Sequence, residues 1–143
     1  MKKIVVSTAL LVALIVGFGL GYVYEVVQVG KSIGVQMYGP FLQSCDTALA
    51  AYKTADPTVA IWVLQRHLVH LDKFEKDGFP TPQDLLAQRF CAHARLAKLY
   101  AALGNSQQET KEVELALATG FMQLQDKGGV YQTLSMFDSH QAP

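Results

Sequence analysis

The first 24 residues constrain the fold more than any other part of the chain. Lys2 and Lys3 precede a run from Ile4 to Tyr24 that contains no charged residue. A helix of about 20 residues rises about 30 Å, which matches the thickness of the hydrocarbon core of a bilayer. We therefore expect residues 1–24 to form a signal-anchor transmembrane helix.

A cleaved secretory signal also has a charged start and an apolar stretch, and it is the alternative interpretation. The apolar run is long for a signal peptide, and Gly19–Gly21 is its nearest approximation to an Ala-x-Ala cleavage site. Because Lys2 and Lys3 favour a cytoplasmic N-terminus, we expect a single-pass protein of a bacterial inner membrane. Its C-terminal domain would then be periplasmic.

Small residues recur at every fourth position along this predicted helix. Residues one turn apart share a helical face, and small ones leave a shallow groove that lets a second helix approach closely. These residues are Ala9, Ala13, Gly17 and Gly21. We expect this face to contact either another membrane protein or a second copy of the chain.

The composition of the protein excludes some classes of function. The protein is 50% hydrophobic and 17% charged, and its 12 Lys and Arg residues balance 12 Asp and Glu residues. This hydrophobic content excludes intrinsic disorder as the description of the whole chain. The zero net charge argues against a nucleic-acid partner, because phosphate binding requires clustered lysine and arginine.

Helix-start signals divide the rest of the chain. Residues 25–38 are expected to form a juxtamembrane segment, residues 39–122 a domain of four helices, and residues 123–143 a tail with a loop or one short helix. The starts carry capping residues or a first-turn proline, and they lie at Gly39-Pro40, Asp56-Pro57, Thr81-Pro82 and Ser106–Glu109. No strand pattern is present. The predicted fold class is all-α, built from helical hairpins with short loops.

Apolar residues spaced by three and four predict which face of each helix is buried. Helix by helix, they are Phe41, Leu42, Cys45, Leu49 and Tyr52; Ile61, Leu64, Leu68 and Leu71; Leu86, Phe90, Ala97, Tyr100 and Leu103; and Val113, Ala116 and Leu117. The single tryptophan, Trp62, is expected in the core, with a half-exposed interface position as the alternative.

The third and fourth helices resemble one tetratricopeptide repeat over residues 90–121. The resemblance rests on Leu96-Ala97, Tyr100, Gly104 and Ala116-Leu117. Two positions depart from the pattern, since Glu109 replaces a small residue and Phe121 replaces the closing proline. The resemblance implies a helical scaffold that binds a protein or peptide and has no chemistry of its own.

Cys45 and Cys91 lie on the first and third predicted helices. An oxidising periplasm favours a disulfide between them, and small neighbouring residues would let the two helices approach closely enough. We expect this disulfide to be structural. A redox-active pair is the alternative, but the sequence has no Cys-x-x-Cys motif.

His67 and His70 are three residues apart on one helix, and His93 lies on the next. Together they reach the minimum of three ligands for zinc if the helices align. A metal or small-ligand sensor is therefore the alternative function, although amphipathic surface positions for His67 and His70 also explain the spacing. No cofactor is expected otherwise.

Catalytic motifs are missing from the sequence. It contains neither Gly-x-Ser-x-Gly nor His-Glu-x-x-His, and Glu109, Glu112 and Glu114 are explained by the dipole of the helix that they begin. The sequence predicts a membrane-anchored, non-enzymatic interaction protein or accessory subunit of a membrane complex. A membrane-tethered enzyme is the least favoured reading.

Overall fold

The structure is a computed structural model, and it describes residues 38–140. The chain divides into two units, Met1–Gly39 and Pro40–Pro143, of which the second is the helical domain. Its helices are α1 (38–54), α2 (Pro57–Lys76), α3 (Pro82–Ala102), α4 (Ser106–Ala118) and α5 (Lys127–His140), with a short 3₁₀ turn at Phe121–Gln123. The predicted all-α class is confirmed for the described residues, which include no strand.

The predicted membrane-spanning helix lies outside the described residues, as do Ala9, Ala13, Gly17 and Gly21. Within residues 38–140, no helix combines the length and the apolar character needed to cross a bilayer.

Capping residues begin the helices largely where the sequence predicts. The Asp56 side chain accepts a hydrogen bond from the Thr58 backbone N–H at 2.8 Å, and Pro57 occupies the first turn of α2. Thr81 caps α3 in the same way. The cap of α4 is Asn105, one residue before the predicted Ser106. Its amide oxygen accepts a hydrogen bond from the free Gln108 N–H at 3.2 Å, as an N-cap requires.

Helix α3 lies at the centre of the domain and packs against α2, α4 and α5. Its middle is buried on nearly every side, through Phe90, Cys91, Ala92, Ala94, Arg95, Leu96 and Ala97. The alanines allow close approach of neighbouring helices because they have no side chain beyond Cβ. Gly104 ends the hairpin turn after α3 with a φ of +71°, a left-handed conformation that glycine adopts without steric cost.

Helix α5 lies within residues 123–143, for which the sequence left a loop or one short helix open. Val130 and Leu134 are fully buried in one cluster with Phe90 and Val113, so the segment predicted as a tail is an integral fifth helix. Gly128 and Gly129 obscured it in the sequence. They lie in the first turn, where the Asp126 side chain accepts a hydrogen bond from the Gly129 N–H at 2.7 Å.

Three leucines and the tryptophan predicted as core are exposed, namely Leu42, Leu86, Leu103 and Trp62. Successive helical residues point about 100° apart, so on a helix that buries only one face an apolar residue beside a core position can point to solvent. Phe41 takes the buried position beside Leu42, and Leu85 takes the one beside Leu86. The remaining predicted core residues are buried or half-buried.

Leu134→Ala tests whether α5 belongs to the cooperative core. Truncating a fully buried leucine removes apolar contacts and leaves a cavity, so we expect the free energy of unfolding to fall by about 2–5 kcal/mol. Urea unfolding of the full chain in a mild detergent measures this. The control is Gln132→Ala on the exposed side of the same helix, and equal stabilities of the two variants would contradict an integral α5.

Candidate functional site

The structure brings two of the three predicted histidines to one serine. Ser44 Oγ of α1 lies 2.8 Å from His67 Nδ1 and 3.4 Å from His70 Nδ1. His67 is only 4% exposed, so its predicted surface position is wrong. It faces the core because it lies between Leu64 and Leu71 on the buried stripe of α2.

Burial, together with the nearby charges of His70 and Arg95, lowers the pKa of His67 to about 4. Burial has this effect because the charged imidazolium loses its hydration. His67 is therefore neutral near pH 7. In this state one ring nitrogen donates and the other accepts, which suits its hydrogen bond with the Ser44 hydroxyl.

A serine next to a neutral imidazole is also the nucleophile and base of acyl-transfer enzymes. Those enzymes additionally need N–H donors that face the developing oxyanion. Ser44 lies in the interior of α1, where the backbone N–H groups are already bonded within the helix. The contact is better explained as the pairing of polar atoms between α1 and α2.

His93 is placed away from this pair. Its Nδ1 lies 2.7 Å from Glu112 Oε2 of α4, so it joins α3 to α4 and has a carboxylate partner. Among residues 38–140, no group of three or more His, Cys, Asp or Glu side chains could hold a metal ion. The arrangement of His67, His70 and His93 needed by the sensor alternative is therefore not assembled in the described domain.

Two acidic residues near the start of α4, which the helix dipole alone would explain, make specific side-chain contacts. Glu112 is buried against His93. Glu109 accepts a hydrogen bond from the Tyr131 hydroxyl at 2.7 Å and pairs with Lys127. These bonds lower the pKa of Glu109, whereas burial and the Glu109 carboxylate raise that of Tyr131. The sequence did not signal these contacts, because Tyr131 and Lys127 lie in the segment for which it left a loop or one short helix open.

Arg95 is the polar centre of the domain. Its Nη2 donates a hydrogen bond to Asp138 Oδ1 of α5 at 2.7 Å, and its guanidinium lies 5.5 Å from the ring centroid of Tyr52 on α1. Its side chain is 5% exposed, and its Nε is buried without a hydrogen-bond partner among the described residues. Arg95 thus connects α1, α3 and α5.

The Arg95 guanidinium is close enough to Cys45 and Cys91 to affect the pKa of both thiols. Both are free thiols in the structure, on α1 and α3 as predicted. Burial raises the pKa of Cys45 to about 12 and that of Cys91 to about 11. The thiolate is the reactive form, so both thiols have low reactivity near pH 7. The disulfide between them remains a prediction.

Comparisons with protein-family models, with characterised proteins and with solved structures found no match to this chain. The resemblance to a tetratricopeptide repeat therefore continues to rest on the residues of α3 and α4 alone.

The depressed pKa of His67 predicts how stability changes with pH. The unfolded chain takes up a proton below its ordinary pKa of 6.5, whereas the folded chain resists it down to about 4. Stability from this residue is complete above pH 6.5 and is lost as the pH falls towards 4. At pH 5 the loss is about 2 kcal/mol. Urea unfolding of the wild type and His67→Gln at pH 7 and 5 should show a correspondingly smaller loss in the variant. Equal losses would contradict the buried neutral imidazole.

Asp138→Asn tests the Arg95 centre. The substitution removes the countercharge from a guanidinium that stays buried, so we expect the free energy of unfolding to fall by about 3 kcal/mol. Glu114→Gln removes one negative charge from an exposed position on α4 and should change stability little. If Asp138→Asn is as stable as this control, the ion pair does not connect α5 to the domain.

Proposed function

We propose that this protein is a membrane-anchored, non-enzymatic interaction protein, either a scaffold or an accessory subunit of a membrane complex. Its N-terminal segment would anchor it in a bacterial inner membrane, and its helical domain would bind a partner on the periplasmic side. The uncharged run of residues 4–24 supports the anchor. Partner binding is supported by the surface where α1, α3 and α5 come together around Arg95.

The proposal rests on one observation, that α1, α3 and α5 come together around Arg95. Tyr52 of α1, Arg95 of α3 and Asp138 of α5 lie in one group, and Lys98 of α3 lies 5.9 Å from the ring centroid of Tyr131 on α5. We call the surface over these five residues the α1/α3/α5 face. In helical repeat scaffolds, stacked hairpins build extended concave surfaces that bind partners.

The chemistry of the α1/α3/α5 face suits protein binding. Tyrosine is enriched in protein interfaces because it combines a large contact area with a hydrogen-bonding group. Tyr52 and Tyr131 are half-buried, so each is held by the domain and still presents part of its surface. A peptide or a loop of another membrane protein is the class of partner that we infer.

The predicted anchor supports a second contact with the same or another partner. Gly17 and Gly21 would let a neighbouring transmembrane helix approach closely. The two contacts would reinforce each other, since a partner held by one is at high effective concentration for the other.

Lys98→Glu tests the α1/α3/α5 face. It reverses a charge on that face, whereas the control Lys111→Glu makes the same change at an exposed position of α4. Native mass spectrometry of the full chain, extracted from its own membrane in a mild detergent, reports bound partners. We expect a stoichiometric partner on the wild type and the control, and at least about a tenfold loss on Lys98→Glu, equivalent to about 1.4 kcal/mol.

Other outcomes of this experiment decide against the proposal. A chain without any partner would contradict an accessory subunit. A partner lost from Gly17→Leu and Gly21→Leu but retained by Lys98→Glu would place the contact in the anchor and exclude the α1/α3/α5 face. A bound metal ion in place of a protein would restore the sensor alternative.

A further inference from the structure

The outer side of α2 carries one continuous exposed stripe. Its six residues are spaced alternately by three and four, so they lie along one helical face. They are Val59, Trp62, Arg66, Val69, Lys73 and Lys76, which we call the α2 stripe, and all six are exposed. Trp62 is 61% exposed, Val59 52% and Val69 64%. A large aromatic and two β-branched residues are thus presented to solvent on the side of α2 away from its buried residues.

The charge of the α2 stripe is positive. Three of its six residues are cations, and the Arg66 guanidinium lies 5.9 Å from the Trp62 ring centroid. The acidic residues Asp72 and Glu75 of α2 pair with Arg89 of α3, at 2.7 and 2.8 Å, and Asp77 follows at the C-cap. The stripe therefore combines three apolar side chains with three cationic ones.

This combination complements the surface of an anionic membrane. Helices that lie in the bilayer interface have tryptophan and aliphatic residues that enter the headgroup boundary, together with lysine and arginine that contact lipid phosphates. Tryptophan is favoured at this depth because its ring is apolar and its N–H is polar. An ordinary solvated helix face would not need the exposed tryptophan and valines.

The membrane is also within reach of the α2 stripe. The predicted anchor ends at residue 24, and α1 is described from residue 38. The intervening residues 25–37 extend at most about 45 Å, whereas α2 is about 30 Å long. A domain anchored through residues 1–24 would stay within this distance of the lipid surface, where even weak attraction is effective.

We propose that the α2 stripe docks on anionic phospholipid headgroups of the membrane in which the protein is anchored. Val59, Trp62 and Val69 enter the headgroup boundary, and the three cations contact lipid phosphates. The inference rests on the membrane anchorage of the proposed function. It shares no residue with the α1/α3/α5 face, so lipid docking and partner binding occupy separate surfaces.

Trp62 is the only tryptophan in the chain, so its fluorescence reports the α2 stripe alone. The full chain is reconstituted in vesicles of phosphatidylcholine, with or without phosphatidylglycerol, and in matched vesicles whose acyl chains are brominated. We expect the Trp62 emission to shift to shorter wavelength and to be quenched by brominated lipid in the anionic vesicles. Both effects should weaken in 1 M salt, where the Debye length is about 3 Å.

Arg66→Glu with Lys73→Glu should abolish the quenching in anionic vesicles, whereas Lys111→Glu on α4 should retain it. The ratio of emission in brominated and ordinary lipid corrects for any direct effect of the substitutions on the fluorophore. Quenching that survives the double substitution would overturn the proposal.

Two further outcomes separate lipid docking from the other claims. Carbonate-washed vesicles are floated to test the anchor itself. A chain that floats while Trp62 keeps the emission of a solvent-exposed tryptophan would refute docking and leave the anchor intact, whereas a chain that does not float would refute both. A shift to shorter wavelength without quenching by brominated lipid would mean that protein covers the stripe, and it would also overturn the proposal.

Discussion

The burial of α3 is the constraint on which the rest of the domain depends. Its central turns contact neighbours on nearly all sides, and Ala92, Ala94 and Ala97 provide the space for this packing. A helix surrounded in this way cannot bury its apolar surface against a single neighbouring helix. The hairpins α1/α2 and α3/α4 and the closing helix α5 are therefore parts of one core, divided into clusters that each include residues of α3.

Arg95 gives this core a polar centre with consequences for both stability and function. A buried guanidinium loses its hydration, and the Asp138 carboxylate and the Tyr52 ring replace only part of it. Such pairs contribute little net stability, but loss of one partner is costly. The centre therefore favours the arrangement in which α1 and α5 both flank α3. That arrangement also creates the α1/α3/α5 face, so the proposed binding surface follows from the packing.

Local signals in the sequence were sufficient to predict helices α1 to α4 but not how the helices pack against each other. Asp56-Pro57 and Thr81-Pro82 act through atoms a few residues away, and for this reason α2 and α3 begin where predicted. The burial of His67, the exposure of Trp62 and the pairing of His93 with Glu112 depend on how helices rotate against each other. Periodicity does not specify that rotation. The anchor and its small-residue face lie outside the described residues and remain predictions.

Helix α5 is needed both for the fold and for the proposed binding surface. It supplies core residues, the Asp138 countercharge and one side of the α1/α3/α5 face. Hydrogen–deuterium exchange of the full chain in a lipid nanodisc tests this role most directly. We predict that the amides around Val130 and Leu134 exchange as slowly as those of Phe90 to Ala97, because both open only when the whole domain unfolds. Exchange of α5 at the rate of an exposed loop, with α3 still protected, would contradict the account.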